Sequence, residues 1–209
     1  MKIGFIVDGE AEYRSLPALL QQIQRESPHD LLKQPLLAKI QPLARVPRIV
    51  GAVEREIKIL LGRKAEKIIV LIDRENREVC PGSWAVEITQ ALTAKHGRSG
   101  SSSFGVVIKD SCYENWLVAD TNVFTKLPKR FALSDTSMRK IQPNKADRID
   151  AQKLIKDAAR GDAYHKVADA RQIMALANIS GIAANSRSFR RFLRMLDHPR
   201  YKEQSRNPA

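Results

Sequence analysis

A mostly parallel α/β sheet with helices on both faces, followed by a carboxy-terminal helical annex, is the fold class this sequence predicts. Two observations carry the prediction. Short runs of β-branched and aliphatic residues alternate with segments of helical periodicity as far as about Asp120. Beyond Thr121 no strong strand run appears, and the pattern becomes helical. The division read from this is an α/β part over residues 1–120 and a basic helical annex over 121–209, packed on it.

Lys2 to Val7 reads as a buried strand that ends in the turn Asp8-Gly9. Leu16, Leu19, Leu20 and Ile23 then recur at helical spacing between about Glu12 and Arg25, with Pro17 near the start. A Pro-rich stretch from Pro28 to Pro47 follows, in which Gln34 to Arg48 offers a weak strand. Val50 to Leu61 reads as one helix, with Val53, Ile57, Leu60 and Leu61 on one face. Lys67 to Ile72 is the clearest strand and ends at Asp73. Trp84, Ile88, Ala91 and Leu92 mark the next helix. Residues 97–103, Gly-Arg-Ser-Gly-Ser-Ser-Ser, read as a flexible loop without the Gly-Lys-Ser/Thr of a phosphate-binding loop. Phe104 to Ile108 is a third strand, followed by a helix around Tyr113 to Ala119. Three more helices are predicted near 145–159, 165–177 and 186–196.

At 209 residues and 43% hydrophobic composition the chain can bury a sizeable core. The short apolar run at the start does not suit a signal peptide, and no stretch approaches the ~20 apolar residues of a membrane span. A soluble, cytoplasmic protein is expected. Cys80 and Cys112 stand far apart, and His29, His96, His165 and His198 are scattered, which argues against a zinc or other soft-metal site. The net charge of +13 is unevenly spread. Residues 129–209 hold 18 Lys/Arg against 8 Asp/Glu, a balance of +10, whereas residues 1–128 hold 18 against 15, a balance of +3. A field of that kind favours polyanions, because basic side chains release the counterions condensed on a phosphate backbone.

Acidic groups stand where the three strands end: Asp8, Glu10 and Glu12 after the first, Asp73 and Glu75 after the second, Asp110 and Glu114 after the third. In a parallel sheet these ends share one side, where ligands usually bind. Crowded carboxylates need a cation, a proton or a basic partner, and Mg²⁺ or Mn²⁺ suits an all-oxygen site. Asp-Gly is also an ordinary turn signal, and Asp73-Arg74-Glu75 also fits a solvated loop.

These residues carry a resemblance. Ile6-Val7-Asp8-Gly9-Glu10-Ala11-Glu12 resembles the V-E-G-x-x-E opening of TOPRIM-type domains, and Val70 to Glu75 resembles their strand ending in D-x-D. Cys112 to Asp120 is similar to the E-x-W-L-x-x-D segment of a bacterial TOPRIM-like family of unassigned function, related in pattern to the RloB-like and OLD-type defence proteins. Asn185 to Leu193 resembles that family's ending. The resemblance implies a TOPRIM/Rossmann-like sheet and Mg²⁺-dependent nuclease chemistry on DNA or RNA. It also implies a role in bacterial defence beside an ATPase partner supplied by another chain. Asp8 and Glu12 become the candidate catalytic residues, and Asp73, Glu75, Asp8 and Glu114 the candidate metal ligands. Asp8 stands where the motif has Glu, and Glu75 where it has Asp; both exchanges keep the charge but alter the reach.

Trp116 fits either stacking on a base or the core, and its apolar helix favours the core. In the last helix Phe189, Phe192, Leu193 and Leu196 form a core stripe. Arg187, Arg190, Arg191 and Arg194 repeat beside it as candidate nucleic-acid contacts or a solvated face. The competing class is a non-catalytic subunit that binds nucleic acid or a partner ATPase and keeps its acids for folding or regulation. A small-molecule phosphotransfer enzyme is the third.

Overall fold

The computed structural model describes residues 1–41, 43–97 and 102–201. Most of the loop expected over 97–103 therefore lies outside the described residues. Among the described residues the sheet contains five strands: β1 (Lys2–Val7), β2 (Asp30–Leu31), β3 (Leu36–Leu37), β4 (Lys67–Asp73) and β5 (Ser103–Lys109). Their order is β2-β1-β4-β5, with β3 pairing the same edge of β1 further along, and all of these pairings are parallel.

Among the described residues the α-helices are α1 (Glu10–Gln24), α2 (Val46–Ala52), α3 (Glu54–Gly62), α4 (Pro81–His96) and α5 (Glu114–Ala119), followed by six in the carboxy-terminal region. Those six are α6 (Asn122–Lys126), α7 (Asp135–Ile141), α8 (Ala151–Ala158), α9 (Lys166–Leu176), α10 (Ile179–Asn185) and α11 (Arg187–Met195). Among the described residues no helix is long and apolar enough to cross a membrane.

The period of two along a strand divides the core. Ile3, Phe5, Val7, Ile69, Leu71 and Val107 face α1, α5 and the carboxy-terminal helices. Ile6, Ile68, Val70, Ile72, Val106 and Ile108 face α2, α3 and α4. Both faces are covered, so the strands read as continuous apolar runs. Trp116 is fully buried, 5.5 Å from the Phe192 ring centroid and 5.1 Å from that of Phe189. Its Nε1–H donates to Ser188 Oγ at 2.7 Å, which leaves no face for a base.

Four expectations change. The single helix over Val50–Leu61 is two, because Val53 departs from helical geometry at φ −96° and ψ −1°. The strand sought in Gln34–Arg48 is only Leu36–Leu37. Pro17 lies inside α1, beyond the first turn, because the helix starts at Glu10 rather than Glu12. Helices α6, α7 and α10 were not predicted; they are too short for a full apolar stripe. Two of them open on local caps: Ser134 Oγ accepts from Ser137 N–H, and Asn178 Oδ1 from Ser180 N–H.

A candidate metal centre around a buried lysine

The parallel register sets the site. Asp73 and Lys109 are directly paired partners at the ends of β4 and β5, on the face that carries Leu71 and Val107. Asp8 follows the end of neighbouring β1, and the first turn of α1 brings Glu12 over the same strand ends. Lys109 is fully buried, and its Nζ lies 2.8 Å from Asp8 Oδ1 and 3.1 Å from Asp73 Oδ1. The same ammonium donates to Glu12 Oε1. Asp8 Oδ2 accepts the Asp73 N–H at 2.9 Å, which locks one carboxylate to the other's backbone. Behind the cluster the Tyr113 ring centroid lies 5.7 Å from Nζ, and its hydroxyl shares a hydrogen bond with Ser15 Oγ.

Glu12 and Lys109 form a dry base, and Asp8 and Asp73 are half-buried at the mouth. Three carboxylates against one ammonium leave a formal excess of two negative charges. Burial, with Asp8 and Glu12 adding repulsion against the pull of Lys109, pushes Asp73 up to about 8. Burial raises Glu12 as well, opposed by Lys109. The three carboxylates hold Lys109 well above its usual range despite burial. One oxygen from each of Asp8, Glu12 and Asp73 lies within 4.8 Å of the others. A hard, all-oxygen donor set with surplus negative charge fits Mg²⁺ or Mn²⁺.

Gly9 has a specific task here. A Cβ at that position would lie 2.3 Å from Glu12 Oε2, so a larger residue would displace the Glu12 carboxylate from its inward position. The backbone of Gly9 is ordinary extended chain at φ −131°, so the side chain alone is at issue. Gly9→Ala is expected to weaken Mn²⁺ binding by about tenfold, or ~1.4 kcal/mol, measured by calorimetry. Unchanged affinity would remove Glu12 from the ligand set.

The other acids go elsewhere. Glu75 is exposed, in a left-handed conformation at φ 54°, and its N–H donates to Ser111 O at 2.8 Å. It is not part of the three-carboxylate group, whose third corner is Glu12 from α1. Glu114 is buried but also outside that group; its Oε1 lies 3.5 Å from Lys166 Nζ. Asp110 pairs with Arg74 at 2.7 Å, and Glu10 with Arg14 at 2.7 Å. On α11, Arg187 and Arg194 are exposed and Arg191 is half-buried. Arg190 is buried and donates to Asn144 Oδ1 at 2.8 Å and to Ala183 O.

Lys109 is the residue that sequence reasoning missed. Its signal was legible, since a lysine two positions after Val107 on a covered face needs an acidic partner. Fold and site together define a parallel α/β protein whose strand ends gather three carboxylates around an internal ammonium. The family model of a domain of unknown function, DUF4276, matches residues 7–197, and the chain belongs to that family. No curated protein and no solved structure matches the chain.

Proposed function

We propose that this chain is a divalent-cation-dependent phosphodiester hydrolase acting on nucleic acid. The observation that carries the reading is the convergence of Asp8, Glu12 and Asp73 from three separate segments, at the ends of parallel strands. The motif resemblance to TOPRIM-type domains and to the RloB-like and OLD-type proteins supports the same chemistry, with Glu12 in place of Glu75 as the third carboxylate. The balance of +10 over residues 129–209 supports a polyanionic substrate. A divalent ion bound by these oxygens supplies positive charge to a phosphate and acidifies a coordinated water. Asp8 and Asp73 hold the accessible side of that site, and Glu12 its base. Lys109 orients Asp8 and Glu12 by direct hydrogen bonds. Asp73, pushed up to about 8, holds a proton near neutral pH in the metal-free protein and would give it up on binding the ion. The resemblance extends the proposal to a cytoplasmic role in bacterial defence, with ATP hydrolysis supplied by a partner chain.

The test is incubation with labelled DNA and RNA in Mg²⁺, Mn²⁺ or EDTA, alone and with an ATPase encoded beside it. Metal-dependent cleavage is expected, and Asp8→Asn should lower it by roughly 10²- to 10⁴-fold while substrate binding, followed by anisotropy, persists. Absence of cleavage in every mixture would overturn the proposal. One observation favours a second reading, a non-catalytic binding subunit: the Lys109 ammonium already sits among the three carboxylates as an internal counter-ion. On that reading wild-type protein binds no Mn²⁺.

A further inference from the structure

A cavity of about 330 Å³ lies between the start of α4 and the length of α11, and Asp8, Glu12, Asp73 and Lys109 are not part of its lining. That volume falls at the lower end of the roughly 300–1,000 Å³ of small-ligand sites. Arg187, Arg190, Arg191 and Arg194 line one side, and Cys80 and Gly82 the other. The wall is built rather than loose. Arg190 is only 3% exposed and is held by Asn144 Oδ1 and Ala183 O, so one guanidinium has a fixed place. Arg191 reaches over the start of α4, where a Cβ on Gly82 would lie 3.4 Å from its Nη1.

The acids in the lining already have partners. Asp110 is paired with Arg74. Asp147 accepts from Ser186 Oγ, Ser188 N–H and Ser188 Oγ. Among the described residues Arg187, Arg191 and Arg194 have no ion-pair partner, and Asp147 partly offsets Arg190 alone: burial, then the charge of Arg194, pull Arg191 below its usual range, opposed by Cys80, with a smaller contribution from Arg187. Like charges gathered at a cavity wall are costly unless an anion offsets them. Planar guanidinium forks match the oxygens of a phosphoryl group, and the first turn of the 16-residue helix α4 faces the same space.

We propose that this cavity is a seat for a phosphoryl group, separate from the carboxylate cluster. Arg187, Arg191 and Arg194 supply the donors at the cavity surface, and Arg190 the fixed charge. Assigning that group to a nucleic-acid chain rests on the phosphodiester reading; the seat itself rests on the cavity alone.

Cys80 gives a direct readout. It is exposed at the cavity wall, and Cys112 is buried, so alkylation of the folded protein reports on Cys80. The N–H and hydroxyl of Ser83, the N–H of Gly82 and the charge of Arg187 hold its thiol below the ordinary range, which favours the reactive thiolate. The experiment follows the iodoacetamide labelling rate of the full chain in EDTA, with inorganic phosphate or with NaCl of equal ionic strength. Phosphate is expected to slow labelling at least fivefold and chloride less than twofold. The ratio should fall to one in Arg187→Gln/Arg191→Gln/Arg194→Gln; should that protein not fold, the exposed single variants Arg187→Gln and Arg194→Gln should each reduce it. A 5′-phosphorylated oligonucleotide that protects better than its 5′-hydroxyl form assigns the seat to chain ends, and equal protection assigns it to internal phosphates. Asp73→Asn should leave phosphate protection intact, whatever becomes of metal binding. Equal protection by chloride, or full protection in the arginine variants, would overturn the seat.

Discussion

Lys109→Met lowers the stability of the metal-free protein by about 3–5 kcal/mol, because removing one partner of a buried ion cluster leaves the others uncompensated. For a chain of 209 residues this corresponds to a fall in Tm of roughly 6–20 °C. The loss arises where Glu12, only 1% exposed, faces Asp8 and Asp73 without the ammonium. Two additions sharpen the measurement. Saturating Mn²⁺ should restore more stability to the variant than it adds to wild type, since a divalent ion replaces the missing charge. Lys109→Met/Glu12→Gln should recover part of the loss, since it removes one of the repelling charges. A Lys109→Met protein that melts like wild type would show that the carboxylates do not depend on this lysine. Cleavage assays on the same variant divide the two functional readings. Loss of cleavage with Mn²⁺ binding kept supports the hydrolase. Mn²⁺ binding that appears only once the lysine is gone supports the non-catalytic subunit.

Mn²⁺ affinity of the wild-type protein should rise by about a hundredfold between roughly pH 6 and pH 8, then level off, because the ion displaces a proton from a ligand. The sign follows from Asp73, whose carboxyl is pushed up to about 8 by burial and by Asp8 and Glu12. Below that value the carboxyl is protonated, and each further unit of acidity costs about tenfold in affinity. Glu12, also raised by burial, acts in the same direction. The same shift acts on folding. Asp73 binds its proton more tightly in the folded protein than in the unfolded chain. Its contribution to stability is therefore fully present below the unfolded value of 3.8 and is lost as pH rises through about 8. Melting of the metal-free protein should decline across that window, and saturating Mn²⁺ should counter the decline. Calorimetric titrations and melts of wild type and Asp73→Asn across pH decide it. The variant should show flatter profiles in both, and a flat wild-type profile would remove Asp73 from the cluster's proton balance.

Local pattern alone was enough for the scaffold. The runs Lys2–Val7, Lys67–Ile72 and Phe104–Ile108 read as strands of a sheet covered on both faces, and their acidic endings were visible as letters. The apolar stripes of α1 and α11 followed from a period of 3.6. The short helices α7 and α10 left a trace in their caps, but seven residues offer little periodicity to read.

Tertiary structure decided which charges meet. Glu75 stands at the second acidic position of the D-x-D-like segment, yet a left-handed backbone at φ 54° leaves it at the surface. Glu12 matches the last Glu of the V-E-G-x-x-E opening, and it enters the cluster because α1 crosses the strand ends and Gly9 leaves its carboxylate room. Lys109 sits at the centre through the β4–β5 register that pairs it with Asp73, a relation between residues 36 positions apart. Arg190 shares a helical face with arginines that reach solvent, yet Asn144 and the end of α10 hold it inside. Periodicity is a short-range property of the chain and can be read residue by residue. Charge pairing depends on how separate elements cross, and that follows from the packing of the whole core.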